Sequence, residues 1–156
     1  MPNDVNVPES VAWILYIDPD NAIAVGQYEI VYILKYENNK LHRINGPDYF
    51  NQSIMWQGKE IKIFDLDRFI NLQNRETKNV LYEYIVIVPY IQDGHDVIFL
   101  GLKIINIPIK LKVKDTQQCD YPDNYAWGKL SSSCFYDEKY GTIPVLDVAK
   151  ILSFLG

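Results

Sequence analysis

Ile61-Lys62-Ile63-Phe64-Asp65-Leu66-Asp67-Arg68-Phe69-Ile70 has a counterpart 82 residues further on, Ile143-Pro144-Val145-Leu146-Asp147-Val148-Ala149-Lys150-Ile151-Leu152. Each stretch is an apolar run that ends in Asp, followed by an apolar residue, a basic residue and an apolar pair. The Asp stands where a helix would begin. Its carboxylate can accept from the orphan N–H groups of a first turn, and it favours the positive end of the helix dipole. Asp65 and Asp147 would also serve as paired catalytic carboxylates, but their strand-end positions favour caps. Two copies imply two similar β subdomains, each finishing as strand, Asp cap and short helix. The two segments are expected to superpose within antiparallel sheets.

Outward from the repeat, the pattern is of strands. Val11 to Ile17 is an apolar run with Trp and Tyr, and Asp18-Pro19-Asp20-Asn21 reads as a turn with Pro presetting its second position. Ala22 to Val25 returns. Tyr28 to Tyr36 alternates with period two, although a short helix fits that stretch as well. Asn38-Asn39-Lys40 and Asn45-Gly46-Pro47 read as turns. In the second half, Val80 to Val88 is rich in Val, Ile and Tyr, Asp93-Gly94 signals a hairpin, and Val97 to Leu102 returns. Ile105, Ile107, Ile109, Leu111 and Val113 form one face of a further strand, and Pro108 assigns it to an edge or bulge. Asn71 to Asn79 reads as a linker and Asp115 to Tyr125 as a loop. The fold class is all-β: one domain of two intertwined five-stranded barrel subdomains, about 11–70 and 80–155.

The chain has 156 residues and a formal charge of -5. That charge offers no general attraction to nucleic acid or anionic membranes, so neither partner is expected. Lys103, Lys110, Lys112 and Lys114 form a local basic stretch, better read as the wet face of a strand than as a phosphate-binding patch. No apolar run is long enough to span a bilayer, and Met1 to Asn6 lacks the features of a signal peptide. A cytoplasmic protein is therefore expected, without direct membrane insertion and with Cys119 and Cys134 as free thiols, although the intervening loop could also bring the two together as a disulfide. His42 and His95 fall in turns, with no nucleophile motif nearby. The eight glycines are scattered singly, Asp18 to Asn21 lacks the rest of a calcium loop, and no zinc spacing occurs. No catalytic residue, metal or cofactor is expected.

The order of these segments resembles the CheW family of chemotaxis coupling proteins. Pro47-Asp48-Tyr49-Phe50 matches the family's proline-flanked loop and aromatic. Gln52-Ser53-Ile54-Met55-Trp56-Gln57-Gly58 stands where the family has Gly-Val-Ile-Asn-Leu-Arg-Gly, and Ile61 to Leu66 follows as strand and Asp-Leu. The resemblance extends over about Val11 to Leu155. It is one of layout: Gly58, Asp65, Leu66 and Asp147 agree, whereas Gln52, Met55 and Gln57 replace the usual Gly, Asn and Arg. It implies two packed barrels with a hydrophobic groove between them. It also implies a non-enzymatic adaptor that couples chemoreceptor-like signalling helices to the regulatory domain of a CheA-like histidine kinase, at membrane receptor arrays. Ile30, Val31 and Ile33 would then face the receptor helices, although Ile30 and Ile33 read equally well as core. Met55, Trp56 and Gln57 would face the kinase.

Twelve Tyr and three Trp leave a rival reading, a carbohydrate- or small-ligand-binding β module that stacks sugars on aromatic rings. Trp13 and Tyr16 read as core. Trp56, beside the turn Gln57-Gly58, reads as an interface anchor at a loop tip. A row of exposed Trp along one sheet face would favour the sugar reading, and an aliphatic groove between barrels the adaptor.

Overall fold

The computed structural model describes residues 9–71, 80–91, 96–120 and 127–155. The elements run β1 (Glu9–Asp18), β2 (Asn21–Gly26), β3 (Tyr32–Lys35), β4 (Leu41–Arg43), β5 (Gln52–Trp56), β6 (Lys59–Phe64), α1 (Leu66–Ile70), β7 (Tyr84–Ile91), β8 (Val97–Ile104), β9 (Ile109–Lys114), α2 (Trp127–Leu130), β10 (Ser131–Asp137), β11 (Gly141–Leu146) and α3 (Val148–Leu155). One curled sheet has the order β10-β11-β2-β1-β9 and the other β3-β7-β8-β6-β5-β4. They are called barrel A and barrel B below. Each sheet takes strands from both halves of the chain, so the segments 11–70 and 80–155 interleave.

The repeat holds at the level of elements. β6 and β11 are the same length and start 82 residues apart, as do α1 and α3. Arg68 N–H donates to the Asp65 carboxylate at 3.0 Å, and Lys150 N–H to that of Asp147 at 3.2 Å. Both aspartates therefore cap the helices that follow them. The pairing is not antiparallel throughout. β6 runs parallel to β8, with Ile63 opposite Gly101, and β11 runs parallel to β2, with Val145 opposite Ala24. Each repeat strand thus leaves its own hairpin to pair in parallel with a distant strand. Gly101 lets the neighbouring strands approach closely: a Cβ there would lie 3.2 Å from carbons of both Ile63 and Ile85.

Strand alternation sorts the apolar residues into three cores. Ile14, Ala24, Phe135 and Ile143 fill barrel A. Ile54, Ile61, Ile63 and Ile85 fill barrel B. Their neighbours Leu15, Ile23, Val25, Phe64 and Val86 point the other way, into a central core between the barrels, together with Trp127, Leu130 and Ile151. Strands buried on both faces read as continuous apolar runs, which explains Ile85-Val86-Ile87-Val88.

Three strands differ from their expected extents. The strand expected from Tyr28 is limited to β3, because Glu29 folds back to accept from Gly26 N–H at 3.1 Å. The strand expected from Val80 starts at Tyr84. Residues 105–108 bend between β8 and β9 instead of extending β9. β9 is an edge strand as Pro108 implied, with Ile109, Leu111 and Val113 against barrel A and Lys110, Lys112 and Lys114 exposed. Lys103 departs from that wet face altogether: it lies on β8, 7% exposed. Asp93-Gly94 and the greater part of Asn71 to Asn79 lie outside the described residues.

Candidate partner-binding surface

Lys103 and Asp65 anchor the base of barrel B. The Lys103 ammonium lies 3.6 Å from the Asp65 carboxylate and donates to Gln52 Oε1 at 2.5 Å. The Tyr36 and Tyr82 rings flank it, at 5.8 and 5.2 Å from their centroids, and Tyr82 OH donates to Asp65 at 3.1 Å. Burial lowers the Lys103 pKa from its usual value, and Asp65 partly offsets that. Burial, and then the Asp65 charge, raise both tyrosines. One strand-end carboxylate therefore caps α1 and also neutralises a buried cation from β8.

Among the residues expected to face partners, Ile30, Val31 and Ile33 lie on or just before β3, one of the two edge strands of barrel B. β3 pairs with β7, Ile33 opposite Val86, and Val31 N–H donates to Ile87 O at 2.8 Å. Ile33 therefore shares a face with Val86, which belongs to the central core. Ile33 is 39% exposed, Val31 41%. Ile30 is half-buried and packs onto the central core, so the core alternative applies to Ile30 and not to Ile33. On β8, Ile98 is 40% exposed and stands opposite Tyr90, which itself packs onto the central core. Val31, Ile33 and Ile98 thus extend the aliphatic face of the central core into solvent.

Met55 and Trp56 end β5, and Gln57 follows it. Met55 points outward and is exposed. Trp56 is no loop-tip anchor: it turns inward onto the barrel B core, 5.4 Å from the Phe99 ring and 5.9 Å from that of Tyr32. Alternation along β5 requires this, since Ile54 and Trp56 share the inward face. Gln57 and Gly58 are the two-residue loop of the β5–β6 hairpin, with φ of 50° and 75°. Positive φ at both positions is what the twist of a type I′ hairpin needs, and it explains the glycine.

β3 stands at one end of the order within barrel B and β5 next to the other end, yet the curl brings Tyr32 against Trp56. Trp56 therefore touches the chain neighbour of Val31 and Ile33. Tyr32 itself is 51% exposed. The three tryptophans form no exposed row. Trp127 is buried, Trp56 is packed as above, and Trp13 is half-buried and donates to Gln27 O at 3.0 Å. The Trp56 and Phe99 rings meet edge-to-face at 74°, so these two rings form no flat platform.

Elsewhere, Asp18 is fully buried. Its carboxylate accepts from Asp20 N–H and Asn21 N–H at 2.7 and 2.8 Å, which shapes the β1–β2 turn. His42 sits exposed on the edge strand β4, not in a turn, and His95 lies outside the described residues. Among the described residues, no group of three His, Cys, Asp or Glu is placed to hold a metal. No helix there is long and apolar enough to cross a membrane.

No family model and no curated protein matches this chain by sequence. Among solved structures it is similar to the scaffolding protein TtCheW from Thermoanaerobacter tengcongensis. The TM-score is 0.68, with 12% identity over 90% of this chain and 86% of that one. The fold is therefore CheW-like, all-β, with two curled sheets.

Proposed function

We propose that this chain is a non-enzymatic adaptor that couples chemoreceptor-like signalling helices to the regulatory domain of a CheA-like histidine kinase, in the cytoplasm at membrane receptor arrays. The observation that carries the reading is the aliphatic face of Val31, Ile33 and Ile98, exposed beside the seam between two CheW-like barrels. Amphipathic helices dock on such faces through residues spaced three and four apart. Met55 and Gln57, at the β5–β6 hairpin, offer a second surface, and with Gln in place of the family's Arg that contact rests on packing and not on a charge-assisted bond.

The test is calorimetric titration of wild type, Ile33→Lys and Met55→Ala with a receptor-type helical hairpin and, separately, with the kinase regulatory domain. Ile33→Lys is expected to weaken hairpin binding at least tenfold while leaving kinase binding within twofold, and Met55→Ala the reverse. Unchanged hairpin affinity in a folded Ile33→Lys protein would remove this face from the interface.

A further inference from the structure

The seam that closes barrel A holds two thiols. After β9 the chain makes a 3-10 turn at Asp115–Gln117 and then lies against β10. Gln118 bridges to Phe135, Gln117 Nε2 donates to Tyr136 O at 3.1 Å, and Cys119 N–H donates to Cys134 O at 3.0 Å. Continuing that register puts Cys119 directly opposite Cys134, and the two Sγ atoms are 3.4 Å apart. Directly opposed antiparallel residues have Cα separations of about 4.5–5.5 Å, within the range a disulfide spans. Both cysteines are free thiols, Cys134 buried and Cys119 half-buried.

We propose that Cys119 and Cys134 are a reversible thiol–disulfide pair that locks the closing seam of barrel A. The oxidant is a low-molecular-weight disulfide, RSSR. The Cys119 thiolate attacks one of its sulfurs, the RS–SR bond breaks, and the departing RS⁻ takes up the proton that Cys119 lost. Cys134, deprotonated in turn, attacks Sγ of Cys119, which forms the Cys119–Cys134 bond and expels the second RS⁻, protonated by the proton of Cys134. The two thiols are together oxidised by two electrons, and RSSR is reduced to two RSH. Burial, and then the contact with Cys119, push the Cys134 thiol up to about 12. Cys119 is accordingly the entry sulfur, and the attack by Cys134 is the slower step. The loop so closed carries α2, whose Trp127 and Leu130 are already seated in the central core.

The experiment equilibrates the native chain with oxidised and reduced glutathione, counts free thiols, weighs the monomer and measures its melting temperature. Both thiols are expected to disappear together, giving a monomer two hydrogens lighter. A cross-link closing a loop of this length should raise Tm by about 6–12 °C, reversibly with dithiothreitol. Cys119→Ser should fold and show no such response. Thiols that stay titratable in the folded chain would overturn the proposal. So would a stable glutathione adduct on Cys119, or an unchanged Tm after complete oxidation. The mass and thiol count need no variant.

Discussion

Asp65→Ala and Asp147→Ala alter the same position of a repeated motif, yet the structure assigns them different costs. The Asp147 carboxylate is half-buried and caps α3 through Lys150 N–H at 3.2 Å. Losing such a cap costs about 1 kcal/mol. Asp65 caps α1 in the same way, but it also accepts from Tyr82 OH and stands 3.6 Å from the buried Lys103 ammonium. Its removal leaves that cation with Gln52 as its uncharged oxygen partner. Breaking a buried pair from one side costs about 3–5 kcal/mol, because the remaining charge stays desolvated. The two variants should therefore differ by about 2 kcal/mol or more. In melting temperature that is a loss of about 2–4 °C for Asp147→Ala against at least about 6 °C for Asp65→Ala. Urea unfolding followed by Trp fluorescence measures both, with unchanged m-values as the sign that the denatured state is unaltered. Adding Lys103→Met to Asp65→Ala should recover part of the loss. Equal losses, or a larger one at Asp147, would refute the role given to the Asp65–Lys103 pair.

Lys103 also gives stability a pH dependence. Its folded pKa is lowered from 10.5, so between the lowered value and 10.5 the unfolded chain binds more protons and stability rises with pH. Tyr36 and Tyr82, raised from 10.0, act in the opposite direction and turn stability down above that pH. Urea midpoints of Lys103→Met should therefore lose the rise and keep the alkaline fall. Trp56→Ala should destabilise the fold by about 2 kcal/mol, below the 3–5 of a fully buried ring, while Met55→Ala stays within about 0.5; thermal melts of the two separate a packed ring from an exposed side chain. Gln57→Gly should gain about 1 kcal/mol by relieving a left-handed residue, unless urea melts show the hairpin unaffected.

The repeat disclosed the fold because a strand that ends in an Asp cap is a local device, written in consecutive residues. The two caps, the edge position of β9 and the outward Met55 all follow from local pattern. What the sequence concealed is non-local. Lys103 reads as one more lysine of a basic stretch, and only the parallel pairing of β6 with β8 sets it beside Asp65. Trp56 reads as a loop tip because it precedes Gln57-Gly58, although strand parity turns it inward. Tyr32 reads only as one member of an alternating run, and the curl of barrel B sets it half in solvent against Trp56. The parallel pairs themselves carry no local signal, since a strand buried on both faces looks the same whichever way its neighbour runs.

An adaptor must hold two partners at once. Sedimentation velocity of the chain mixed with a receptor-type helical hairpin and a CheA-like regulatory domain tests this directly. The account predicts one ternary species, lost for Ile33→Lys only through failure to bind the hairpin. Two binary complexes that exclude each other, or no complex with either partner, would contradict it.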